Sequence, residues 1–393
     1  MRQFLPGLLL LFVIAIMFRV DFFFTVVYFL TALAVLSRLW LDRSMTHVDV
    51  RRAYDARAFA GDSVPVRLTV RNRSLLPVPW LQVTESPPLD LRGAQLAPQV
   101  VNLGPHECRH FDYVLRCRKR GYYRLGSPKG EMGDLLDLER RNIAWPIEDP
   151  MIVYPKILPI GRLGLSTRSA EVALPAPSAL FEDSSRLMGV RPYGRGDSPR
   201  RIHWSASAHT QRLVVKQYQP AIARSTLVCL DLYEPDYEGR GRYDAAEFAI
   251  VVAASVVTHI VSHEGLPAGL ATQAFDPLAE AVRRLVLPPR TEHAHLTGVL
   301  EVLARAQLQS ERPFSETLRQ ECLTLPWGTT VLIVTSSHRP ELLDICHFLR
   351  RRGLALTIAL VEGSRVRTAA PDTPFGGLPV KRIANERDVA AWA

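Results

Sequence analysis

Cysteine and lysine are both scarce in this chain, and several signatures of enzymes are missing. Five Cys in 393 residues (Cys108, Cys117, Cys229, Cys322 and Cys346) exclude a disulfide scaffold. No two of them form a C-x-x-C pair, which removes the zinc ribbon and the thioredoxin-type redox site. Lysine supplies only five of the 48 cations (Lys119, Lys129, Lys156, Lys216 and Lys381), and no blocky Lys/Arg run marks a nucleic-acid tail. No nucleic-acid partner is therefore expected. Walker A, G-x-G-x-x-G and G-x-S-x-G are all absent, so any ATP-driven work must come from a partner. His263-Glu264 lacks the second His of a zincin and His293-Ala-His295 lacks a third ligand, so both read as surface or loop histidines.

What is present begins with size and charge. Apolar residues make up 47% of the chain and charged residues 22%, with a formal net charge of +9. Wholesale disorder is excluded, and the length suits two or three domains. Phe4 to Phe18 is an uncharged, mostly apolar run, and a second extends from Phe22 to Ser37 after Arg19-Val20-Asp21. Each is a little short for a span across about 30 Å of hydrocarbon, but Arg19 and Arg38 can snorkel. A single continuous helix would strand Arg19 and Asp21 in mid-membrane, so the pattern predicts a transmembrane helical hairpin over 1–41. A signal peptide, with Arg2 as its basic start and a cleavage site near Ala32-Leu33-Ala34, fits worse because charges interrupt the apolar sequence. Arg2, Arg38, Arg43, Arg51 and Arg52 flank the hairpin at its two ends, while its turn has no net charge. That bias predicts a two-pass protein of the cytoplasmic (inner) membrane with its soluble domains facing the cytoplasm.

The soluble part reads as two modules. Over 45–155, Val64 to Val70 alternates with Val64, Val66, Leu68 and Val70 on one face, and further strands are expected at Trp80 to Thr84, Phe111 to Cys117 and Gly121 to Leu125. Frequent Pro and Gly between them predict an antiparallel β-sandwich-like module. Residues 156–185, rich in Pro, Ser and Ala around Leu174 to Ser178, read as a linker. Within 186–393, Thr226 to Leu232, Ala268 to Thr272, Arg284 to Leu287, Thr330 to Thr335 and Leu354 to Val361 alternate with helices at Tyr243 to His263, Leu296 to Leu308 and Glu341 to Arg351. Such alternation predicts a doubly wound α/β domain on a parallel sheet, and the fold class is multidomain.

A dense polar segment runs from Arg186 to Gln219, and Arg191 to Tyr218 is its most informative stretch. Gly194 and Gly196 permit a sharp turn, and Asp197 or Ser198 can cap a short helix beginning at Pro199, on which Arg201, Trp204, Ser205 and Ala208 share a face. Leu213 to Tyr218 returns to strand alternation. The segment resembles the signature of the domain of unknown function 58 family at Arg191, Tyr193, Gly196, Asp197, Arg200, Ile202, Trp204, Ser207, Ala208, Leu213, Val215 and Lys216. His209 stands where the family usually has Arg. The resemblance extends to Gly61, Asp62 and Asn72, to the Arg120 to Tyr123 turn and to Val153-Tyr154-Pro155. It implies two amino-terminal membrane helices, a β-rich module and a C-terminal von Willebrand factor A-like domain. It further implies work beside a MoxR-type AAA ATPase and other von Willebrand factor A-like proteins in a chaperone-like or assembly system, with no agreed catalytic activity.

Two candidate sites follow. The von Willebrand factor A cation motif D-x-S-x-S keeps only Asp231 here, since Tyr233 and Pro235 replace the two Ser, and Thr335-Ser-Ser-His338 lacks the later Asp. No metal or other cofactor is expected at so degraded a site; Asp231 more simply ends its strand. The second is the cluster of Arg191, Tyr193, Arg195, Gly196, Asp197, Arg200, Arg201, Trp204, Arg212 and Lys216, with Asp197 its one acid. One reading is a guanidinium surface for a partner's carboxylates or phosphates. In the other, Asp197 pairs with an Arg, Trp204 packs under the sheet and the segment only fastens the fold. Cys229, in a central strand, reads as a buried inert thiol. The function expected is a non-enzymatic, membrane-anchored interaction or assembly protein. The alternative is a metal-dependent hydrolase or transferase using the Asp231 loop.

Overall fold

A computed structural model describes residues 4–18, 21–93, 98–134, 140–161, 163, 182–194, 197–220, 225–237, 239–362 and 377–392. The chain forms two compact units, one of Met1–Lys156 with Leu303–Arg305, the other of Ile157–Val302 with Ala306–Ala393.

The first unit opens with α1 (Phe4–Phe18) and α2 (Asp21–Met45), which pack on each other with the Phe12 and Phe24 rings edge to face at 6.5 Å. Arg19 and Val20, where the sharp turn is expected, lie outside the described residues. At 15 residues α1 spans about 22 Å, whereas the 25 residues of α2 reach about 37 Å, enough to cross a membrane by length and composition. The sequence suggests a helix ending near Leu41 and a separate module from residue 45. Instead α2 continues to Met45, and its last turns belong to the β-module. Ser37, Leu41 and Ser44, spaced to share one face, are buried. Ser37 Oγ donates to Asp134 Oδ2 at 2.8 Å, Trp40 Nε1 donates to the Pro77 carbonyl at 2.9 Å, and Arg141 pairs with Asp42.

The module contains β1 (Val48–Tyr54), β2 (Arg57–Phe59), β3 (Ser63–Asn72), β4 (Val78–Thr84), β5 (Gln99–Leu103), β6 (Cys108–Arg116), β7 (Gly121–Leu125), β8 (Lys129–Gly133), β9 (Arg140–Ala144) and β10 (Asp149–Tyr154). They form three sheets, ordered β1-β3-β6, β5-β4-β8-β9 and β2-β10-β7. All pairs are antiparallel except β10 with β2, so the module is sandwich-like but not wholly antiparallel. Val64, Val66, Leu68 and Val70 alternate inward along β3, as the sequence pattern predicts. Leu68 and Val70 share a core with Leu41, Val78, Leu81, Val83, Met132 and Trp145; Val64 and Val66 join Leu115, Leu125 and Met151 in a second core.

One buried ion pair ties the three sheets together. The Arg52 side chain on β1 is fully enclosed, donating to Glu85 Oε2 at 2.8 Å, Asp149 Oδ2 at 2.9 Å and the Gly126 carbonyl at 3.0 Å. Burial raises the Glu85 carboxyl above its ordinary value against the pull of Arg52, and pushes the neighbouring Tyr113 up to about 12.

The second unit does not begin with a free linker. Leu158, Ile160 and Leu163 are buried and Ser255 Oγ accepts from the Leu158 N–H at 2.9 Å, while the Pro-rich stretch around Leu174 to Ser178 lies outside the described residues. At the other end of the expected linker, β11 (Glu182–Pro192) is already a strand. It pairs antiparallel, through two irregularities, with β12 (Val214–Pro220), and the short α3 (Trp204–Thr210) sits between them. The partner strand supplies hydrogen bonds that local composition does not announce.

The α/β domain follows with β13 (Thr226–Leu230), α4 (Arg242–Ser262), β14 (Ala268–Asp276), β15 (Ala281–Arg290), α5 (His293–Arg305), α6 (Phe314–Cys322), β16 (Thr330–Thr335), α7 (Pro340–Arg351), β17 (Ala355–Val361), β18 (Val380–Ile383) and α8 (Glu386–Ala390). The six strands are ordered β15-β14-β13-β16-β17-β18. The sheet is not purely parallel, because β15 returns antiparallel beside β14 through a tight turn at Leu278 to Glu280. Leu227, Cys229, Val331, Ile333 and Ile358 pack with α6 and α7, while α4 covers β13, β14, β16 and β17. Coverage of both faces explains why β13 and β16 are buried at every position. It also explains α4: long and apolar enough for a membrane span, this helix is two-thirds buried in the domain.

Candidate functional site

Two places carry the sequence-predicted residues, and they are built differently. The first is the loop between β11 and β12. Tyr193 N–H donates to the Leu213 carbonyl at 2.9 Å and His203 N–H to that of Val214 at 2.9 Å, so the hairpin fixes both ends of the loop. Asp197 folds it inward. Its carboxylate accepts from Arg191 Nη1 at 2.9 Å, Arg191 Nη2 at 2.5 Å and the Gly194 N–H at 2.8 Å. The Arg191 hydrogen bonds, then that backbone N–H, hold the Asp197 carboxyl below its ordinary range. The Tyr193 hydroxyl donates to the Asp197 carbonyl at 3.1 Å. Arg195 and Gly196 lie outside the described residues.

Neither Asp197 nor Ser198 caps a helix. Pro199–Arg201 is a single tight turn without a side-chain cap, and the helix proper begins only at Trp204, where His203 Nδ1 accepts from the Ala206 N–H at 3.2 Å. Asp197 is already engaged by Arg191 and Gly194, which leaves the capping place to His203. The helix is as short as expected and stops at Gln211, whose φ of 51° is left-handed. Ser207 points inward, accepting from the Val214 N–H at 3.0 Å.

Arg201, Trp204, Ser205 and Ala208 do not form the expected single helical face, because Ile202 and His203 are non-helical between Arg201 and the helix, but all four are exposed. Trp204 does not pack under the sheet: it is 68% exposed, because Ile202 and Ser207 take the buried side of this segment. Tyr193, Leu213 and Val190 are also exposed apolar groups, and Arg200, Arg201 and Arg212 on the same segment are exposed. Lys216 is half-buried, opposite Val190 in the hairpin. The loop therefore combines an internally paired Arg191–Asp197 fork with an outward surface of aromatic rings and guanidinium groups.

The second place lies at the carboxyl ends of β13 and β16, where the strand order reverses direction and α/β sheets open a crevice. Asp231, fully buried, accepts from the Thr335 hydroxyl at 2.6 Å and the Tyr233 N–H at 2.9 Å, and its own carbonyl accepts from the Tyr237 hydroxyl at 2.6 Å. Burial, reinforced by the charge of Asp236, pushes the Asp231 carboxyl well above its ordinary range. Asp236 is held by Arg339 Nε at 2.8 Å, and Arg339 Nη2 donates to the Pro235 carbonyl at 2.9 Å. Ser337 N–H donates to Thr335 Oγ1 at 2.9 Å, drawing that hydroxyl further into the protein's own network.

A divalent cation would need these oxygens free and anionic. Here Thr335 and Tyr233 already occupy the Asp231 carboxyl and Arg339 pairs with Asp236, and no group of three or more His, Cys, Asp or Glu among the described residues is arranged to hold a metal. Asp236 and Arg339 are absent from the sequence-based site; neither falls on a motif position, and only the sheet brings their loops together. Cys229 is buried beside Cys322 and Cys346; hydrogen bonding to Cys322 and burial hold its thiol well above the ordinary value, which favours the unreactive form.

Comparison with known proteins gives a relative without an assigned activity. The uncharacterized protein YeaD of Bacillus subtilis (strain 168) is 24% identical over 308 residues, covering 77% of this chain and 73% of that protein. Among solved structures, an aerotolerance-related membrane protein from Bacteroides fragilis NCTC 9343 matches 41% of this chain and 92% of its own at 8% identity and a TM-score of 0.27. The CARDB domain of the PF1109 protein from Pyrococcus furiosus matches 28% of this chain and 94% of its own at 14% identity and a TM-score of 0.20. At such scores neither likeness carries an argument. Residues 189–325, which include the Arg191 to Lys216 loop and the first strands of the α/β domain, match the family model described as protein of unknown function DUF58.

Proposed function

We propose that this protein is a non-enzymatic, membrane-anchored interaction or assembly factor. Its helices α1 and α2 form a two-pass anchor in the cytoplasmic membrane, and a von Willebrand factor A-like α/β domain presents the Arg191 to Lys216 loop to a partner in the cytoplasm. The partner is a MoxR-type AAA ATPase, which supplies the nucleotide chemistry this sequence lacks. The observation that carries the reading is the outward Trp204, on a segment that also exposes Tyr193, Leu213, Arg200 and Arg201 and is stiffened by Arg191–Asp197. Trp, Tyr and Arg are the residues that dominate binding energy at protein interfaces, and a stiff loop loses little entropy on binding. The sheet order β15-β14-β13-β16-β17-β18, with one antiparallel strand near its edge, supports the von Willebrand factor A-like assignment. The alternative of metal-dependent hydrolysis or group transfer at Asp231 is disfavoured because burial disfavours the charged form of that carboxyl and its oxygens are bonded internally.

Affinity purification of the tagged full-length protein at native level, from detergent extract, tests the proposal. Wild type is expected to recover an AAA ATPase, and Trp204→Ala combined with Arg200→Glu to lose it. Failure of wild type to recover any AAA ATPase, or equal recovery by the variant, refutes it.

A further inference from the structure

The end of the α/β sheet opposite Asp231 carries aromatic side chains that the fold holds outward. Trp327 lies just before β16 and is 51% exposed, and the backbone, not a core, pins its ring. The indole lies against Gly353, the left-handed residue (φ 84°) that follows α7: a Cβ at that position would overlap Trp327 Nε1 and Cδ1. Gly353 is thus required twice, for its φ and for the ring packed on it. Gly328 N–H donates to the Gly353 carbonyl at 3.1 Å, and Thr329 N–H to that of Pro326 at 3.3 Å, so the turn carrying the ring is fastened to the end of α7.

The last turn of α7 completes the surface. Phe348 is 41% exposed, and the guanidinium of Arg352, the residue before Gly353, lies 5.9 Å from its ring centre. Contacts therefore run unbroken from Phe348 through Arg352 and Gly353 to Trp327. Arg350, Arg351 and Arg352 are consecutive and exposed. Three and four residues before them stand Cys346, His347, Phe348 and Leu349, so no acid on the helix is placed to pair with them. Among the described residues none of the three forms an ion pair, and Arg350 Nη1 donates to the neutral Gly377 carbonyl at 3.3 Å.

We infer that this end of the α/β domain is a second docking surface, and that its partner is an acidic polypeptide segment carrying apolar side chains. Three uncompensated guanidinium groups call for carboxylates, and Trp327 with Phe348 gives an apolar side chain its seat. Tryptophan, phenylalanine and arginine are enriched at protein interfaces, and Trp and Arg dominate the binding energy there. Both rings are about half sunk and Gly353 backs the indole, which suits a complementary protein surface better than stacking between bases or insertion among lipid chains. The surface is built from α7 and the turn before β16, so it does not depend on the partner assigned to the Arg191 to Lys216 loop.

The probe is a fluorescein-labelled synthetic peptide of repeating Glu-Glu-Leu, titrated with the full-length protein in maltoside detergent and followed by anisotropy. Repeats of Glu-Glu-Ser and of Lys-Lys-Leu are the controls, and the thermal midpoint of every variant is measured alongside. The Glu-Glu-Leu peptide is expected to bind wild type and to bind Trp327→Ala at least about tenfold more weakly. It is also expected to be lost from Arg351→Glu combined with Arg352→Glu, whose exposed side chains can be exchanged without loss of the fold. Trp204→Ala is expected to bind it as wild type does. No binding by wild type, full affinity in Trp327→Ala or in the double arginine variant, or equal binding of the Lys-Lys-Leu peptide overturns the inference. Equal binding of the Glu-Glu-Ser peptide or of a single-stranded oligonucleotide also overturns it, by assigning the surface to polyanions at large. Loss of binding in Trp204→Ala does so as well, by moving the site to the signature loop.

Discussion

Leu41→Ala tests whether α2 is a tether or a part of the β-module. A tether ending near residue 41 would leave this side chain in solvent or lipid, where its truncation would matter little to the soluble fold. In the structure Leu41 is 1% exposed and shares its core with Val48, Val50, Leu68, Val70, Val78, Leu81, Val83, Leu103, Met132 and Trp145. Ser37 and Trp40 are hydrogen-bonded to Asp134 and Pro77 of the module, so the helix has little freedom to move into the space vacated. Loss of the isobutyl group plus the cavity it leaves should cost about 3 kcal/mol. For a unit of this size that lowers the thermal midpoint by about 6–12 °C. The assay is thermal unfolding of the full-length protein in detergent, followed by tryptophan fluorescence, since Trp145 lies in this core and donates to the Val48 carbonyl at 2.9 Å. Leu36→Ala, one turn earlier on the outward flank, is the control and should leave the midpoint unchanged. Equal, small effects for the two variants would refute the docking of α2 and make the helix a tether.

Other perturbations report on the remaining sites. Asp231 has a raised carboxyl in the folded protein, so its contribution is full below the ordinary aspartate value and is lost as pH rises toward the folded one. Asp231→Asn, neutral at every pH, should therefore gain stability relative to wild type as pH goes from 5 to 8 in denaturant titrations; a constant difference would contradict the raised carboxyl. Trp204→Ala should leave stability within about 0.5 kcal/mol of wild type because the ring is exposed, and a large drop in melting temperature would show that the ring packs in the fold. Arg52→Lys should cost about 1.5–3 kcal/mol by losing part of a buried fork of charged hydrogen bonds. Arg67→Lys, in the exposed pair with Asp112, should be indistinguishable from wild type in the same melts.

Where one physical signal dominated, the fold was readable from the chain. The alternation of Val64, Val66, Leu68 and Val70 survives as β3 because one face is buried and one solvated. Thr226 to Leu230 and Thr330 to Thr335 are continuous apolar runs because helices cover both faces of their sheet. What escaped was set by partners distant in sequence. The β11 strand runs through a composition that looks like a linker, and its hydrogen bonds come from β12. The short α6 places the polar Thr317 and Glu321 on its buried face beside Phe314, Leu318 and Cys322, which weakens its apolar signal. At the signature loop, the Arg191–Asp197 pairing was among the alternatives legible from charge. The direction of Trp204 was not, since helical spacing gives a shared face without saying which way it points. His203 as a helix cap carries no sequence signal, because histidine is not among the residues that favour that position.

The scarcity of lysine now has a structural counterpart. At Arg52, Arg191 and Arg339 a single side chain satisfies several acceptors at once: two carboxylates and a carbonyl for Arg52, both oxygens of Asp197 for Arg191, and Asp236 with the Pro235 carbonyl for Arg339. A planar fork can do this with one ordered side chain, whereas an ammonium presents a point charge. Each of these forks is matched to a carboxylate, so none of them contributes to the field outside the protein. The surface field of a chain with net charge +9 must come from other cations, and the signature segment exposes Arg200, Arg201 and Arg212 together with Trp204. A single arginine-rich composition thus serves two physical tasks, internal forks and an exposed cationic segment, that the net charge alone does not separate.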